Sequence, residues 1–265
     1  MPAFTDQLGR TIVLPGIPRR IISLVPSQTE LLYTLGLDKA VVGITKFCVH
    51  PEPWFRTKTR IGGTKAIDAA RIDTLQPDLI IANKEENDRR QVEALAARYP
   101  VWVSDIKTLP DALAMIRSVG ALTGTTPAAE TLAAEIARRF ATLEPPPPQR
   151  PQAAYLIWRN PWMAAGGDTF IHHMLEQAGF LNVFDGQNRY PEADLSSMAH
   201  AGCPVILLSS EPYPFRSQHI DEVKEVMPHA RVLLVDGELF SWYGSRLLLA
   251  PGYFRQLQTN IRATT

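Results

Sequence analysis

The run Ile21-Ile22-Ser23-Leu24-Val25 is apolar at every position but Ser23, the pattern of a strand covered on both faces. Pro26 ends it. Ser27 followed by Glu30 reads as a capping box, so a helix is expected to start at Ser27, turn Leu31, Leu32 and Leu35 inward, and close at Gly36. Upstream, Asp6 to Pro15 reads as a short hairpin. A strand buried on both faces and fed directly into a helix needs layers of helix on either side, which confines the chain to the α/β class.

The rest of the chain repeats the pattern. Strands are expected at Ala40 to Ile44, Leu79 to Ala82 and Val101 to Val103, with helices ending at Leu75 and covering Asn87 to Arg98 and Pro110 to Val119. That alternation is the mark of parallel βαβ units. Pro127 opens a further helix in first-turn position, with Leu132, Ile136, Phe140 and Leu143 at three- and four-residue spacing. It is followed by Pro145 to Pro148, a stiff extended segment that cannot enter a helix or sheet interior and reads as a linker. Beyond it, strands are expected at Ala153 to Trp158, Val205 to Ser209 and Val232 to Asp236. Helices are expected at Thr169 to Gln177, capped by Asp168 and closed by Gly179, then at His219 to Val226 and Leu247 to Ile261, the last interrupted or begun afresh near Pro251-Gly252. The architecture is therefore two α/β lobes with parallel sheets, 1–122 and 151–265, joined by one long helix and a proline-rich linker over 123–150.

Composition removes several classes of function. Lys plus Arg equals Asp plus Glu at 27 each, which gives no field for nucleic acid or an anionic membrane. No apolar run reaches the roughly 18 residues of a membrane span. Met1 to Asp6 has neither a basic nor an apolar leader region, so the chain as written is expected in the cytoplasm, or in the periplasm or lipid-anchored if a leader precedes it. Cys48 and Cys203 fall in different lobes and are expected to be reduced. There is no Gly-x-Ser-x-Gly elbow, P-loop or dinucleotide glycine fingerprint, so no enzyme class is indicated and no cofactor is required. A monomer is expected.

Several segments carry candidate chemistry. Cys48-Val49-His50 places a thiol and an imidazole on one side of an extended segment, a donor set suited to zinc, copper or the axial face of a cobalt or iron centre. Two ligands do not make a site, and a small buried cysteine beside a loop histidine reads equally well. His172 and His173 point to different faces of a helix, a poor chelate. Trp242 and Tyr243 read either as ligand contacts or as core.

The hairpin, the Ile21 to Glu30 turn, Leu75-Gln76-Pro77-Asp78-Leu79-Ile80-Ile81, and Gly166-Gly167-Asp168-Thr169 through Leu175 to Phe184 occur in an order and spacing that resembles one family. It is the family of ABC-importer substrate-binding proteins with a helical backbone, the receptors for cobalamin, ferric siderophores and haem (class III periplasmic binding proteins). The likeness covers nearly the whole chain. It implies two Rossmann-like lobes and non-catalytic binding of a metal chelate, a corrinoid or an iron chelate, for delivery to an ABC permease. It also implies a glutamate on each lobe that docks onto permease arginines, at the positions of Glu30 and Glu176. The segments matching the family's ligand loops contain Phe47, Cys48, His50, Lys65, Lys84, Trp158, Arg159, Trp162, Trp242, Tyr243 and Arg246. Relative to the cobalamin-binding pattern, the N-terminal loops carry Lys65, Asn83, Lys84 and Glu85 where aromatics are expected, which points to a polar ligand. The alternative is a cytoplasmic corrinoid- or metal-handling enzyme or metallochaperone on the same fold.

Overall fold

The computed structural model describes residues 1–145 and 149–262. In chain order the elements of the first part are β1 (Ala3–Thr5), β2 (Thr11–Val13), β3 (Ile21–Ser23), α1 (Pro26–Thr34), β4 (Val41–Ile44), α2 (Glu52–Thr57), β5 (Thr59–Arg60), α3 (Ala69–Leu75), β6 (Leu79–Asn83), α4 (Arg89–Ala96), β7 (Val101–Ser104), α5 (Leu109–Thr123) and α6 (Thr126–Phe140). There follow β8 (Gln152–Trp158), β9 (Met163–Ala164), α7 (Phe170–Gln177), β10 (Leu181–Asn182), α8 (Leu195–His200), β11 (Val205–Ser209), α9 (Ser217–Val226), β12 (Arg231–Val235), α10 (Glu238–Ser241) and α11 (Ala250–Arg262). The chain divides into two compact units. Unit 1 holds Met1–Ile106, Pro110–Ala137 and Trp242–Arg246; unit 2 holds Lys107–Leu109, Arg138–Ser241 and Leu247–Thr265. No helix among the described residues is long and apolar enough to cross a membrane.

Unit 1 is built on a five-stranded sheet in the order β5-β4-β3-β6-β7, with every neighbour parallel. Its centre is the pair β3 and β6. Ile21, Ile22, Ile80 and Ile81 have no exposed surface, each contributing about 1.5–3 kcal/mol of hydrophobic stabilisation. The run onward from β3 goes through α1 to β4 on one side, and the run from β6 goes through α4 to β7 on the other, so the winding reverses between β3 and β6. The hairpin β1–β2 is antiparallel, with Phe4 opposite Ile12. Its turn is held by buried Asp6, which accepts from the Leu8 and Arg10 amides and from Arg10 Nε.

The start of α1 differs from the expectation. Pro26 occupies the first helical turn, Val25 is the cap, and no side chain caps the helix. Ser27 therefore lies inside the helix, and Glu30 is drawn to a distant partner instead of closing a capping box. Pro26 does both jobs at once: it ends the strand and, having no N–H to satisfy, opens the helix. The helix expected over Pro127 to Leu143 is α6, which ends at Phe140; Leu143 follows in a turn whose amide bonds to the Phe140 carbonyl. The division between the units falls inside α6, after Ala137. Of the expected proline linker, Pro146 to Pro148 lie outside the described residues.

Unit 2 carries parallel strands in the order β10-β8-β11-β12, with short β9 running antiparallel to β8. Its core includes Phe240, fully buried against Tyr155 and Phe254 at ring separations of 5.1 Å and 4.9 Å. The cap of α7 is Thr169, whose hydroxyl accepts from the His172 amide. Asp168, expected in that role, accepts instead from the Arg189 amide and ties down the loop that precedes α8. The last helix does begin afresh: a single 3-10 turn over Ser245–Leu248 precedes α11. Both cysteines are free and buried.

Candidate functional site

In unit 1 the loops at the carboxyl ends of the strands are joined by polar side chains. Asn87 donates to the Leu24 carbonyl after β3 (3.2 Å) and the Thr64 carbonyl after β5 (3.0 Å), and accepts from the Asn83 amide at the end of β6 (2.9 Å). Asn83 in turn accepts from the Glu85 and Glu86 amides and donates to Ser104 Oγ at the end of β7. Gln28 Nε2 reaches the same hydroxyl at 2.6 Å. This net explains why strand ends carrying Asn83 and Ser104 can be buried: their polar groups find partners on neighbouring loops.

The lysines in these loops serve the same net. Lys65 Nζ donates to the Glu85 carbonyl at 2.5 Å, and Lys84 Nζ pairs with Asp105 at 2.5 Å. Both side chains are exposed, and Phe47 is 51% exposed with Lys46 Nζ 5.1 Å from its ring centre.

Cys48 has no exposed surface, and its sulfur lies 3.1 Å from Thr29 Oγ1 and 3.2 Å from Thr45 Oγ1. Burial pushes its thiol up from the ordinary cysteine range. His50, two residues on, is half-buried and packs edge-on against Trp242 at 5.8 Å. No group of three or more His, Cys, Asp and Glu side chains among the described residues could hold a metal ion.

The segment Trp242–Arg246 belongs to unit 1, although the sequence reads as if it sat wholly with the C-terminal strands. Arg246 grips Glu30 with two bonds, Nε to Oε2 at 3.0 Å and Nη2 to Oε1 at 2.6 Å, across 216 positions of sequence. Its guanidinium also lies over the Trp242 ring at 4.8 Å. Gly244 makes the approach possible: a Cβ there would sit 2.6 Å from the Ser27 carbonyl oxygen. Trp242 and Tyr243 are both buried. Glu30, expected as a docking carboxylate, thus already holds a guanidinium.

In unit 2 the strand ends are finished with rings. Trp162 stacks on Phe215 at 5.7 Å with planes 2° apart, and Arg159 lies 5.8 Å from the centre of Trp162. Trp158, 41% exposed, meets Tyr213 edge-on at 5.6 Å. Tyr213 and Phe215 both pack on His219 at 5.4 Å. Arg159 Nε bonds Glu222 at 2.6 Å, and this carboxylate holds the guanidinium's proton more firmly than usual. Sequence reasoning placed Trp158, Arg159 and Trp162 in one loop but missed Tyr213, Phe215 and His219. The alternation Pro212-Tyr213-Pro214-Phe215 directly after a buried strand is the signal that could have found them.

Glu176, the other expected docking residue, is half-exposed near the end of α7. Both His172 and His173, expected on different faces, bring a ring nitrogen within 4 Å of its carboxylate, at 3.8 Å and 3.9 Å. A cavity of about 190 Å³ opens beside the end of α7, lined by Gln177, Gly179, Phe254, Arg255 and Gln258 among others, and none of the candidate ligand residues reaches it.

Comparison with known proteins agrees with this architecture. A family model described as periplasmic binding protein matches residues 21–228. The vitamin B12-binding protein of Pectobacterium carotovorum subsp. carotovorum (strain PC1) is 26% identical over 242 residues, covering 89% of this chain and 86% of that protein. Among solved structures, the periplasmic vitamin B12 binding protein BtuF of Vibrio cholerae matches the fold with a TM-score of 0.75 at 21% identity, over 91% of this chain and 98% of the other. The periplasmic heme-binding protein RhuT from Roseiflexus sp. RS-1 in apo form matches with a TM-score of 0.76 at 22% identity, over 91% and 99%. The parallel α/β sheets, the buried β3 and its passage into α1, and a family match spanning most of both units lead to one assignment: the chain belongs to the periplasmic binding protein family.

Proposed function

We propose that this protein binds a metal-chelate small molecule, a corrinoid first and a haem or ferric siderophore second, and hands it without chemical turnover to an ABC permease from the periplasm. The observation that carries the reading is the family match together with similarity, over most of both chains, to a vitamin B12-binding protein. The ring cluster of Trp158, Trp162, Tyr213 and Phe215 supports it, because flat macrocycles bury area on aromatic faces at little entropic cost. Phe47, His50, Lys65, Lys84, Arg159, Trp242, Tyr243 and Arg246 are the further residues of the reading. In it Cys48 lies behind the loops rather than on the ligand, since its thiol is enclosed by Thr29 and Thr45. Permease docking is assigned to Glu176; at Glu30 it would require Arg246 to let go. Titration with cyanocobalamin, hemin and a ferric hydroxamate, followed by absorbance and tryptophan fluorescence, tests the proposal. Submicromolar binding of one of the three is expected, and indifference to all three overturns it. In cells carrying the matching permease, Glu176→Ala is expected to abolish uptake without weakening binding.

A further inference from the structure

We propose that the start of α1 is a subsite for a neutral carboxamide group of the bound molecule, read by Ser27 and Gln28. The inference rests on the ligand-binding reading above and goes beyond it by naming the chemical group and the residues that recognise it. The first amides of a helix have no acceptor within the helix, and at α1 no side chain caps them. Beside them Ser27 Oγ and Gln28 Oε1 are buried and make no hydrogen bond, although Ser27 is 3% exposed and Gln28 not at all. Gln28 cannot simply turn aside, because its Nε2 is committed to Ser104 Oγ. Buried polar atoms without partners are rare and costly, and two on adjacent residues ask for a partner that arrives.

Their place in the fold fits an arriving group. The winding of the unit 1 sheet reverses between β3 and β6, and α/β sheets bind ligands outside the strand ends at such a reversal. The donor and acceptor set then selects the group. The free helix amides and the Ser27 hydroxyl donate, whereas Gln28 Oε1 only accepts. A carboxylate would set its charge against that oxygen and within one turn of Glu30. A carboxamide answers both needs: its carbonyl accepts from Ser27 and the helix amides, and its NH2 donates to Gln28. The cover is the segment Trp242–Arg246, with Gly244 against the Ser27 carbonyl and Arg246 clasped to Glu30, so the group enters as that segment shifts.

Ser27→Ala removes a hydroxyl that bonds nothing in the chain, which separates recognition from folding. The variant is expected to melt at or above the wild-type temperature and to bind dicyanocobinamide about tenfold more weakly. Wild type is expected to prefer dicyanocobinamide over dicyanocobyrinic acid, whose side chains are carboxylic acids, by at least tenfold; Ser27→Ala and Gln28→Leu should narrow that ratio. Unchanged affinity in Ser27→Ala, or equal binding of amide and acid by wild type, overturns the subsite. If wild type binds no corrinoid, the corrinoid reading falls, and a crystal soaked in acetamide decides the subsite alone. Acetamide bonded to Ser27 and Gln28 supports it, and a water molecule in its place overturns it.

Discussion

Beyond β3, β5 and β6, three loops of unit 1 converge on one side chain, Asn87. Beyond β8 and β11, the loops of unit 2 meet through ring faces, Trp162 on Phe215 and Trp158 on Tyr213, while hydrogen bonds at Ser209, Ser210 and Glu211 join the loops after β11 and β12. Hydrogen bonds set position sharply but leave a buried orphan when one member is lost; ring contacts tolerate small shifts and lose area gradually. Unit 1 is thus built with a polar net beside the start of α1, and unit 2 with an exposed Trp158 and a half-buried Trp162 backed by rings that pack into its core.

Substitutions can break or sharpen that contrast. Asn87→Ala should be the most damaging, lowering unfolding free energy by about 3 kcal/mol in denaturant melts because it strands the Asn83 amide and two carbonyls. A loss as small as that of a ring deletion in unit 2 would erase the distinction. Next, Arg246→Ala should cost about 2 kcal/mol by leaving Glu30 largely buried without its guanidinium. A second change, Glu30→Ala, should recover part of that loss in the same melts. Trp158→Ala, at a partly exposed ring that meets Tyr213, should lower the melting temperature only slightly but weaken ligand binding about tenfold in fluorescence titration. The smallest effect concerns Cys48. Because burial raises its thiol, the folded form keeps the proton that the unfolded chain releases above a pH of about 9. Its contribution is complete below that pH and is lost as pH climbs further. Melts from pH 8 to 10.5 should show a decline that is shallower in Cys48→Ala.

The layout of strands and helices was legible because it is written locally. Leu75 to Ile81 announces a helix end, a turn and a buried strand within seven residues, and β6 follows where expected. Local signals also misled where two competed for one position. Ser27 and Glu30 have capping-box spacing, but Pro26 had already opened the helix. Asp168 and Thr169 both suit a cap, and Thr169 took it while Asp168 turned to Arg189. The candidate site was legible only in part. Trp158 to Trp162 form one loop and could be grouped by eye, whereas Tyr213 and Phe215 join them from the loop after β11, more than fifty residues on. The Arg246 to Glu30 pair spans 216 positions, and no periodicity carries information over that distance.

That same pair bears on how the protein is made. Unit 1 closes only when residues 242 to 246 arrive, more than a hundred positions after Ala137, the last residue of its earlier segments. During synthesis its sheet can assemble early, but the clasp on α1 has to wait until residues 138 to 241 have been made. A fragment ending before Trp242, or a chimera joined to a relative at a single cut within α6, would lack that native clasp. Any exchange of halves must carry those five residues with unit 1, which makes the folding unit discontinuous in the gene although it is continuous in space.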